Sequence, residues 1–223
     1  MNETPANKTA LIVRGGWEGH SPVEATARYA AVLEQRGYTT TVSDSLDSYL
    51  DAELLARTDL IVQCWTQGTI TDAQANGLSA AVRAGTGFGG WHGGIVDSFR
   101  AALRYHLLTG GQFVHHPREF VDYKVRPRPG REQHPVVAGL TAYSVRTEQY
   151  YVHVDPSVDV LAVTDPVDDP DVPCRPETAM PVVWTKSWGS GRVFVTTLGH
   201  TLADLEVPQT HQTIVRGLLW AAR

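Results

Sequence analysis

Cysteine is scarce in this sequence. Only Cys64 and Cys174 occur among its 223 residues. Neither lies in a CxxC pair or in any other spacing that is typical of a metal or redox site. Cysteine-based metal centres and redox motifs are therefore not expected.

Long apolar runs and clustered charges are also missing. No hydrophobic stretch approaches the roughly 20 residues of a membrane span, and residues 1–8 form a polar lead rather than a signal-peptide core. The net charge of −5 contains no long charge runs, so the sequence offers no basic surface to nucleic acid or acidic membranes. We expect a cytoplasmic protein that binds neither nucleic acid nor membrane.

Local ligand-binding motifs are incomplete. Gly15 and Gly16 follow the first predicted strand, but neither GxGxxG nor GxxxxGK[ST] is present. The nine histidines include no HxxxH or HxH spacing. A nucleotide site is therefore not predicted, and no local motif supports a metal site.

The first half of the chain alternates strands with helices. Residues 10–13 and 60–63 are short apolar runs that predict buried parallel strands. Ser21, Pro22 and Glu24 have the pattern of an N-terminal capping box. Further segments with helical or strand character are residues 39–42 (strand), 47–57 (helix), and the helix that begins at Thr71 and ends at Gly85.

The second half is typical of antiparallel strands. Strands are predicted at residues 120–126, 148–154 and 158–163, and a hairpin at 181–185 and 192–197. Helices are predicted at 95–108 and from about Gln209 onward. Residues 165–178 are rich in proline and aspartate and predict a loop. Because 42% of the residues are hydrophobic, we expect one α/β domain over residues 1–223. Its sheet should be doubly wound and mostly parallel, with additional antiparallel strands.

The glycines around His92 form the most distinctive motif. Gly90 and Gly94 place this histidine in a Gly-x-His-x-Gly sequence, between a predicted strand and a predicted helix. Hydrolases and amidotransferases carry Gly-x-Ser-x-Gly or Gly-x-Cys-x-Gly in this position, where small neighbours allow a sharp turn that exposes the middle side chain. A bulky ring at such a turn is hard to explain by packing, so we predict that His92 is functional.

Other candidates lie at strand ends, where ligands bind in doubly wound sheets. The predicted catalytic residues are His92, Glu148 and His200, because imidazole and carboxylate groups exchange protons near neutral pH. The predicted substrate-binding residues share a position in or beside the loops of this rim, and they are His20, Trp17, Trp65, Trp91, His116 and Tyr150. The remaining histidines, apart from His115 beside His116, are interpreted as structural or surface residues. A divalent ion such as Zn²⁺ is an alternative role for part of the set, with His92, His116, Glu148 and His200 as ligands.

Six blocks along the chain resemble the trehalose-utilisation (ThuA-like) family. They comprise residues 13–20, 89–94, 108–117, 134–140, 148–151 and 189–200. The resemblance implies a flavodoxin-like fold of the class I glutamine-amidotransferase type. It also implies a role with disaccharides that a partner dehydrogenase has oxidised to 3-keto forms. One block departs from the family, whose Asp-Glu-Leu-Tyr is Thr147-Glu148-Gln149-Tyr150 here.

The favoured hypothesis is an enzyme that acts on a keto-sugar or 3-keto-glycoside. His92 or Glu148 would remove the proton beside the carbonyl, and the enediolate would then be reprotonated elsewhere or expel a glycosyl oxygen. Glutaminase activity is not expected, because the turn carries histidine where that chemistry needs cysteine. The alternative is a non-catalytic sugar- or partner-binding module. Exposed strands after Phe120 could also serve a homo-oligomer.

Overall fold

The computed structural model describes residues 8–175 and 177–223. In the first half, strands and helices alternate. Their bounds are β1 (Lys8–Gly16), α1 (Pro22–Glu34), β2 (Tyr38–Ser43), α2 (Ala52–Ala56), β3 (Leu60–Thr66), α3 (Asp72–Ala84) and β4 (Gly87–Trp91). Short 3₁₀ turns at Glu18–His20 and Leu46–Leu50 complete this half.

The second half begins with two short helices and continues mainly as strands. Its elements are α4 (Gly93–Val96), α5 (Leu103–Thr109), β5 (Gly111–His115), β6 (Val121–Pro127), β7 (Tyr143–Thr147), β8 (Tyr151–Val154), β9 (Asp159–Thr164), β10 (Met180–Trp188), β11 (Gly191–Thr196) and α6 (Pro208–Ala221). No helix within the described ranges has both the length and the apolar character that crossing a membrane requires.

One nine-stranded sheet joins the two halves in the order β2-β1-β3-β4-β11-β10-β9-β6-β7. The strands from β2 to β11 in this order pair in parallel, and the remaining pairings are antiparallel. A separate antiparallel ribbon pairs β5 with β8. The predicted α/β fold, with a parallel sheet extended by antiparallel strands, is confirmed.

Helices on both faces of the sheet explain why its central strands are apolar throughout. Ile12 of β1 belongs to the cluster that packs under α1 and α6. Its neighbours Leu11 and Val13 belong to the cluster under α3 and α5. Successive side chains of one strand thus enter two separate hydrophobic layers, which hold the strand ends in fixed positions.

The predicted helix over residues 95–108 is wrong, because the chain leaves helical geometry between α4 and α5. There the backbone pairs with the end of β3: Gln67 N donates to Asp97 O (2.9 Å), and Phe99 N donates to Gln67 O (3.2 Å). These bonds are incompatible with a continuous helix. Phe99 also has a positive φ of 50°.

Three other local predictions need correction. Ser21 has φ 46° and makes no side-chain cap, so the predicted capping box is absent there, whereas the box of Thr71 with Gln74 is present. The predicted helix over residues 47–57 divides into a 3₁₀ turn and α2, because the Asp51 side chain caps a new helix by accepting from Leu54 N. The strand predicted at 148–154 is shorter and begins at Tyr151.

Candidate functional site

His92 lies at a strained turn between β4 and α4. Its φ and ψ are 49° and −143°, a sparsely populated region that costs roughly 1–3 kcal/mol for a residue with a side chain. The glycines of the motif permit this turn. A Cβ on Gly90 would lie 2.4 Å from the carbonyl oxygen of Gln63, and one on Gly94 would lie 2.8 Å from the Cα of Cys64. The turn is therefore pressed directly against β3.

Four of the predicted residues converge beside this turn. His20 follows β1, His92 follows β4, His200 follows β11, and Glu148 lies just before β8. Their potential ligand atoms all lie within 4.8 Å of one another. The group that we call the His₃Glu cluster consists of these four residues, each between 1% and 9% exposed. The parallel strands bring their carboxyl ends to one edge, and this edge carries the cluster.

Three atoms of the cluster are in direct contact. His92 Nε2 lies 3.1 Å from Glu148 Oε2, and His200 Nδ1 lies 3.2 Å from the same oxygen. The two imidazole nitrogens are themselves 3.2 Å apart. One carboxylate oxygen and two ring nitrogens thus form a nearly equilateral triangle.

Two histidines of the cluster are oriented by neighbouring groups. His92 Nδ1 lies 2.8 Å from the carbonyl oxygen of Thr197. Because a carbonyl only accepts hydrogen bonds, Nδ1 carries the hydrogen and neutral His92 directs the lone pair of Nε2 into the cluster. His20 Nδ1 lies 2.8 Å from Thr66 Oγ1.

Burial and mutual proximity set the charge of the cluster. Burial, followed by the neighbouring His92 and His200, lowers the pKa of His20 to about 3. Burial also lowers the pKa of His92, against the opposing effect of Glu148. Burial alone would raise the pKa of Glu148, but the adjacent His200 and His92 outweigh it and hold this pKa well below its usual range. At neutral pH the carboxylate is therefore ionised, and His20 and His92 are neutral.

Tyr150 forms one wall of the cluster. Its ring stacks on His92 with a centroid distance of 4.2 Å and an interplanar angle of 30°. Burial, followed by the charge of Glu148, raises the pKa of its phenol well above the ordinary value. The phenol therefore stays protonated and is able to donate a hydrogen bond near the carboxylate.

Partly exposed rings border the cluster on its solvent side. Trp17 is 50% exposed and lies edge-on to His20 at 4.8 Å. The Phe120 ring lies 5.5 Å from that of His200. His116 is partly exposed, and its Nε2 lies 3.7 Å from Glu148 Oε1. A ligand that reaches the cluster from solvent would meet these three side chains first.

Two of the predicted tryptophans lie elsewhere. Trp91 is 2% exposed and packs against Tyr29 in the hydrophobic core, so its indole is not available to stack on a sugar. Trp65 packs against the end of β1, where a Cβ on Gly15 would lie 2.7 Å from its ring. Side chains alternate between the two faces along a strand, and the Trp91 side chain lies on the face that α1 and α6 cover.

The contacts of residues 165–169 with Gln149 and His115 were not predicted from the sequence. Gln149 Nε2 donates to Asp165 O (2.9 Å), and its Oε1 accepts from Val167 N (2.7 Å). His115 Nε2 lies 2.7 Å from Asp169 Oδ2. The one sequence signal for these contacts was the position of Gln149 between two candidate site residues, Glu148 and Tyr150.

Cavity size does not identify the site. A surface cavity of about 650 Å³ lies between α3 and α5 and includes Arg83, Arg104 and Trp188 in its lining. It contains none of the cluster residues. The converging titratable side chains of the cluster mark the candidate site, because a groove without such a group of side chains offers no acid–base chemistry.

Comparisons with known proteins agree on the fold. Residues 9–221 match the model of the ThuA family, described as trehalose utilisation. A ThuA-like protein from Bacteroides uniformis superposes with a TM-score of 0.79 at 19% identity, covering 99% of this chain and 94% of that one. One from Parabacteroides merdae has a TM-score of 0.75 at 16% identity, with 96% and 89% covered. A cytoplasmic protein from Salmonella typhimurium has a TM-score of 0.65 at 12% identity, with 97% and 99% covered. None of the curated proteins matches this chain.

Proposed function

Because the chain belongs to the ThuA (trehalose utilisation) family, we propose that it is a carbohydrate enzyme that removes a proton beside the carbonyl of a keto-sugar or 3-keto-glycoside. The family supports the carbohydrate-related role, and the proton chemistry is inferred from the site. The observation that carries it is the His₃Glu cluster, an ionised carboxylate buried against imidazoles at the carboxyl ends of parallel strands.

The cluster contains the groups that this reaction needs. In a 3-keto-glucoside the carbonyl at C3 acidifies the hydrogen at C2. Glu148 or the Nε2 lone pair of His92 would accept that proton, and the electron pair would move into an enediolate. Returning the proton to C3 gives a 2-keto isomer, and expelling the glycosyl oxygen from C1 gives elimination, which water then completes as hydrolysis. Acid–base groups in such a position contribute about 10²–10⁴-fold to rate.

The surroundings would favour the charged intermediate. The enediolate carries negative charge, and the Tyr150 phenol and the histidines offer hydrogen bonds to it at low local dielectric. His200 would pass protons between substrate oxygens and the carboxylate, with which it is already in contact. Trp17 and His116 would hold the sugar at the opening, and His20 would lie behind them. This division assigns a role to each predicted residue except Trp65 and Trp91.

A binding module without catalysis is the second candidate. A degenerate enzyme site would hold a ligand through the exposed rings at its rim and not through the four cluster residues, which are at most 9% exposed. Trp17 and Phe120, which are accessible there, are suited to stack on a sugar ring. Binding without chemical change distinguishes this candidate from the enzyme.

Isotope exchange tests the proposal. The protein is incubated with a 3-keto-glucoside in D₂O and followed by proton NMR, which detects loss of the C2 hydrogen even when no net conversion occurs. We expect exchange or conversion with the wild type, loss of both with His92→Ala, and no change with His153→Ala, an exposed histidine on β8. Exchange that persists in His92→Ala at the wild-type rate would refute His92 as a participant. Binding shifts without exchange would favour the module.

The proposal extends to the cellular setting. A 3-keto-glycoside has to be produced by oxidation of a glycoside, so a sugar dehydrogenase is the functional partner that we propose. A cytoplasmic location and assembly of identical chains through the β6–β7 edge of the sheet belong to the same proposal. Co-purification and light scattering address them separately.

A further inference from the structure

We infer that His20, His92, Glu148 and His200 are the protein ligands of one divalent metal ion of the zinc class. Three imidazoles and a carboxylate form a donor set that suits such an ion. Binding itself does not depend on the proposed function. The role that we give the ion, polarising the keto group of the substrate, does rest on it.

The spacing of the donor atoms fits a coordination sphere. Ligands at about 2.0–2.1 Å from a tetrahedral zinc ion lie about 3.3 Å from one another. His92 Nε2, His200 Nδ1 and Glu148 Oε2 are separated by 3.1, 3.2 and 3.2 Å. His20 completes the set, since all four ligand atoms lie within 4.8 Å of one another.

Hydrogen bonds alone do not satisfy this triangle. His92 Nε2 carries a lone pair when its Nδ1 donates to Thr197, and Glu148 Oε2 is also an acceptor. His200 Nδ1 supplies at most one hydrogen, so the 3.1 Å contact between His92 and Glu148 places two acceptors against each other. A cation between the three atoms removes the conflict, because each lone pair then has a partner.

The supporting groups are also those of a metal site. Metal-bound histidines commonly donate their second ring N–H to a carbonyl or hydroxyl that fixes the ring. Thr197 O plays this part for His92, and Thr66 Oγ1, which lies 2.8 Å from His20 Nδ1, plays it for His20. Each ligand comes from a different part of the chain, and for this reason no local sequence motif indicates the site.

This assignment changes two of the predictions made from sequence. His116, a predicted ligand, is left outside the set, because its Nε2 contacts only the far oxygen of Glu148 at 3.7 Å. His20, predicted to bind substrate, becomes a ligand instead. In the ion-bound protein His92 and Glu148 would be engaged as ligands, so His116 at the opening would replace them as the base of the proposed reaction.

Metal content is the direct test. The purified protein is stripped with chelator, dialysed against Zn²⁺ or Co²⁺, and measured by elemental analysis and titration calorimetry. We expect one ion per chain and, with Co²⁺, the intense visible absorption of a low-symmetry four- or five-coordinate site. Glu148→Gln and His200→Ala should lose this ion, whereas His116→Ala and His153→Ala should retain it. Circular dichroism checks that each variant is folded.

A variant that leaves all four ligands in place sharpens the test. Thr66→Val keeps the volume of the side chain but removes the hydroxyl beside His20, and loss of such a supporting group lowers metal affinity about 10–100-fold. Wild-type protein that takes up no ion would overturn the inference, as would uptake that Glu148→Gln and His200→Ala leave unchanged.

The two proposals fail in different ways. If the protein binds one ion per chain but shows no exchange with the keto-sugar, the metal site is supported and the proposed function is refuted. Exchange that continues in metal-free protein would support the proposed function and refute the role of the ion.

Discussion

His92 Nδ1 donates a hydrogen bond to the carbonyl oxygen of Thr197 at 2.8 Å, and this contact joins the ends of two neighbouring parallel strands. It fixes the tautomer of the histidine and directs Nε2 at Glu148. The orientation of the central side chain is thus a consequence of the pairing of β4 with β11.

The first prediction concerns the strain at His92. We expect His92→Gly and His92→Ala both to abolish turnover, because both lose the imidazole. The glycine variant should be the more stable of the two by about 1 kcal/mol, since only glycine adopts a positive φ at little cost. Urea unfolding of both variants measures the difference. Equal stability would mean that the turn relaxes in the alanine variant.

A second prediction uses the close approach of Gly93 to His20. A Cβ on Gly93 would lie 2.4 Å from His20 Cε1, so Gly93→Ala should push this ring out of the cluster. We expect loss of metal affinity and of activity, with little change in the far-UV circular dichroism. Ala73→Gly, an exposed change on α3, is a control that leaves the cluster untouched. Wild-type metal binding in Gly93→Ala would show that His20 is not a ligand.

Much of the fold could be predicted because it depends on local patterns. The apolar runs at residues 10–13 and 60–63 identify the central strands, and the glycine-rich hairpin between β10 and β11 lies where it was expected. The division of residues 95–108 could not be predicted. It results from backbone pairing of Gln67 with Asp97 and Phe99, which lie about thirty residues away along the chain, and no helical periodicity records such a contact.

The site was predictable in composition rather than in geometry. Strand ends identified His20, His92 and His200 as candidates, because parallel strands deliver their carboxyl ends to one edge. Glu148 was a candidate as the carboxylate nearest the start of a predicted strand. The contacts among these four residues depend on the directions of their side chains, which cannot be read from the sequence. The same limit explains Trp91, which follows a rim glycine in sequence but points into the core.

The third prediction concerns the buried Lys186. Its ammonium lies 2.7 Å from Asp155 Oδ2 and also donates to Leu107 O. Asp155→Asn would leave the charge without its anion, and we expect the free energy of unfolding to fall by about 2 kcal/mol. Asp122→Asn, which breaks the exposed pair with Arg146, is the matched control and should cost less than about 1 kcal/mol.

The same pair predicts a pH dependence. The hydrogen bond from Lys186, followed by that from Ser157 N, lowers the pKa of Asp155 to about 2. Because the folded pKa lies below the unfolded value of about 3.9, the stabilisation is complete above pH 4 and is lost as the pH falls toward 2. The stability gap between wild type and Asp155→Asn should therefore narrow in this window. A gap that stays constant from pH 6 to pH 2 would contradict the assignment.

The final prediction concerns Gln149, whose buried amide ties the loop over residues 165–175 to the strand that follows Glu148. Its Nε2 donates to Thr164 Oγ1 and Asp165 O, and its Oε1 accepts from Val167 N. Gln149→Leu would leave these partners without a hydrogen bond, and each partner that stays buried would cost about 1–3 kcal/mol of stability. We expect the loop to open instead, with faster amide exchange and proteolysis around Val167 and wild-type exchange in β1 and β3. Gln112→Leu, on the less buried β5, controls for the loss of an amide. Unchanged exchange around Val167 would mean that the pair between His115 and Asp169 holds the loop without Gln149.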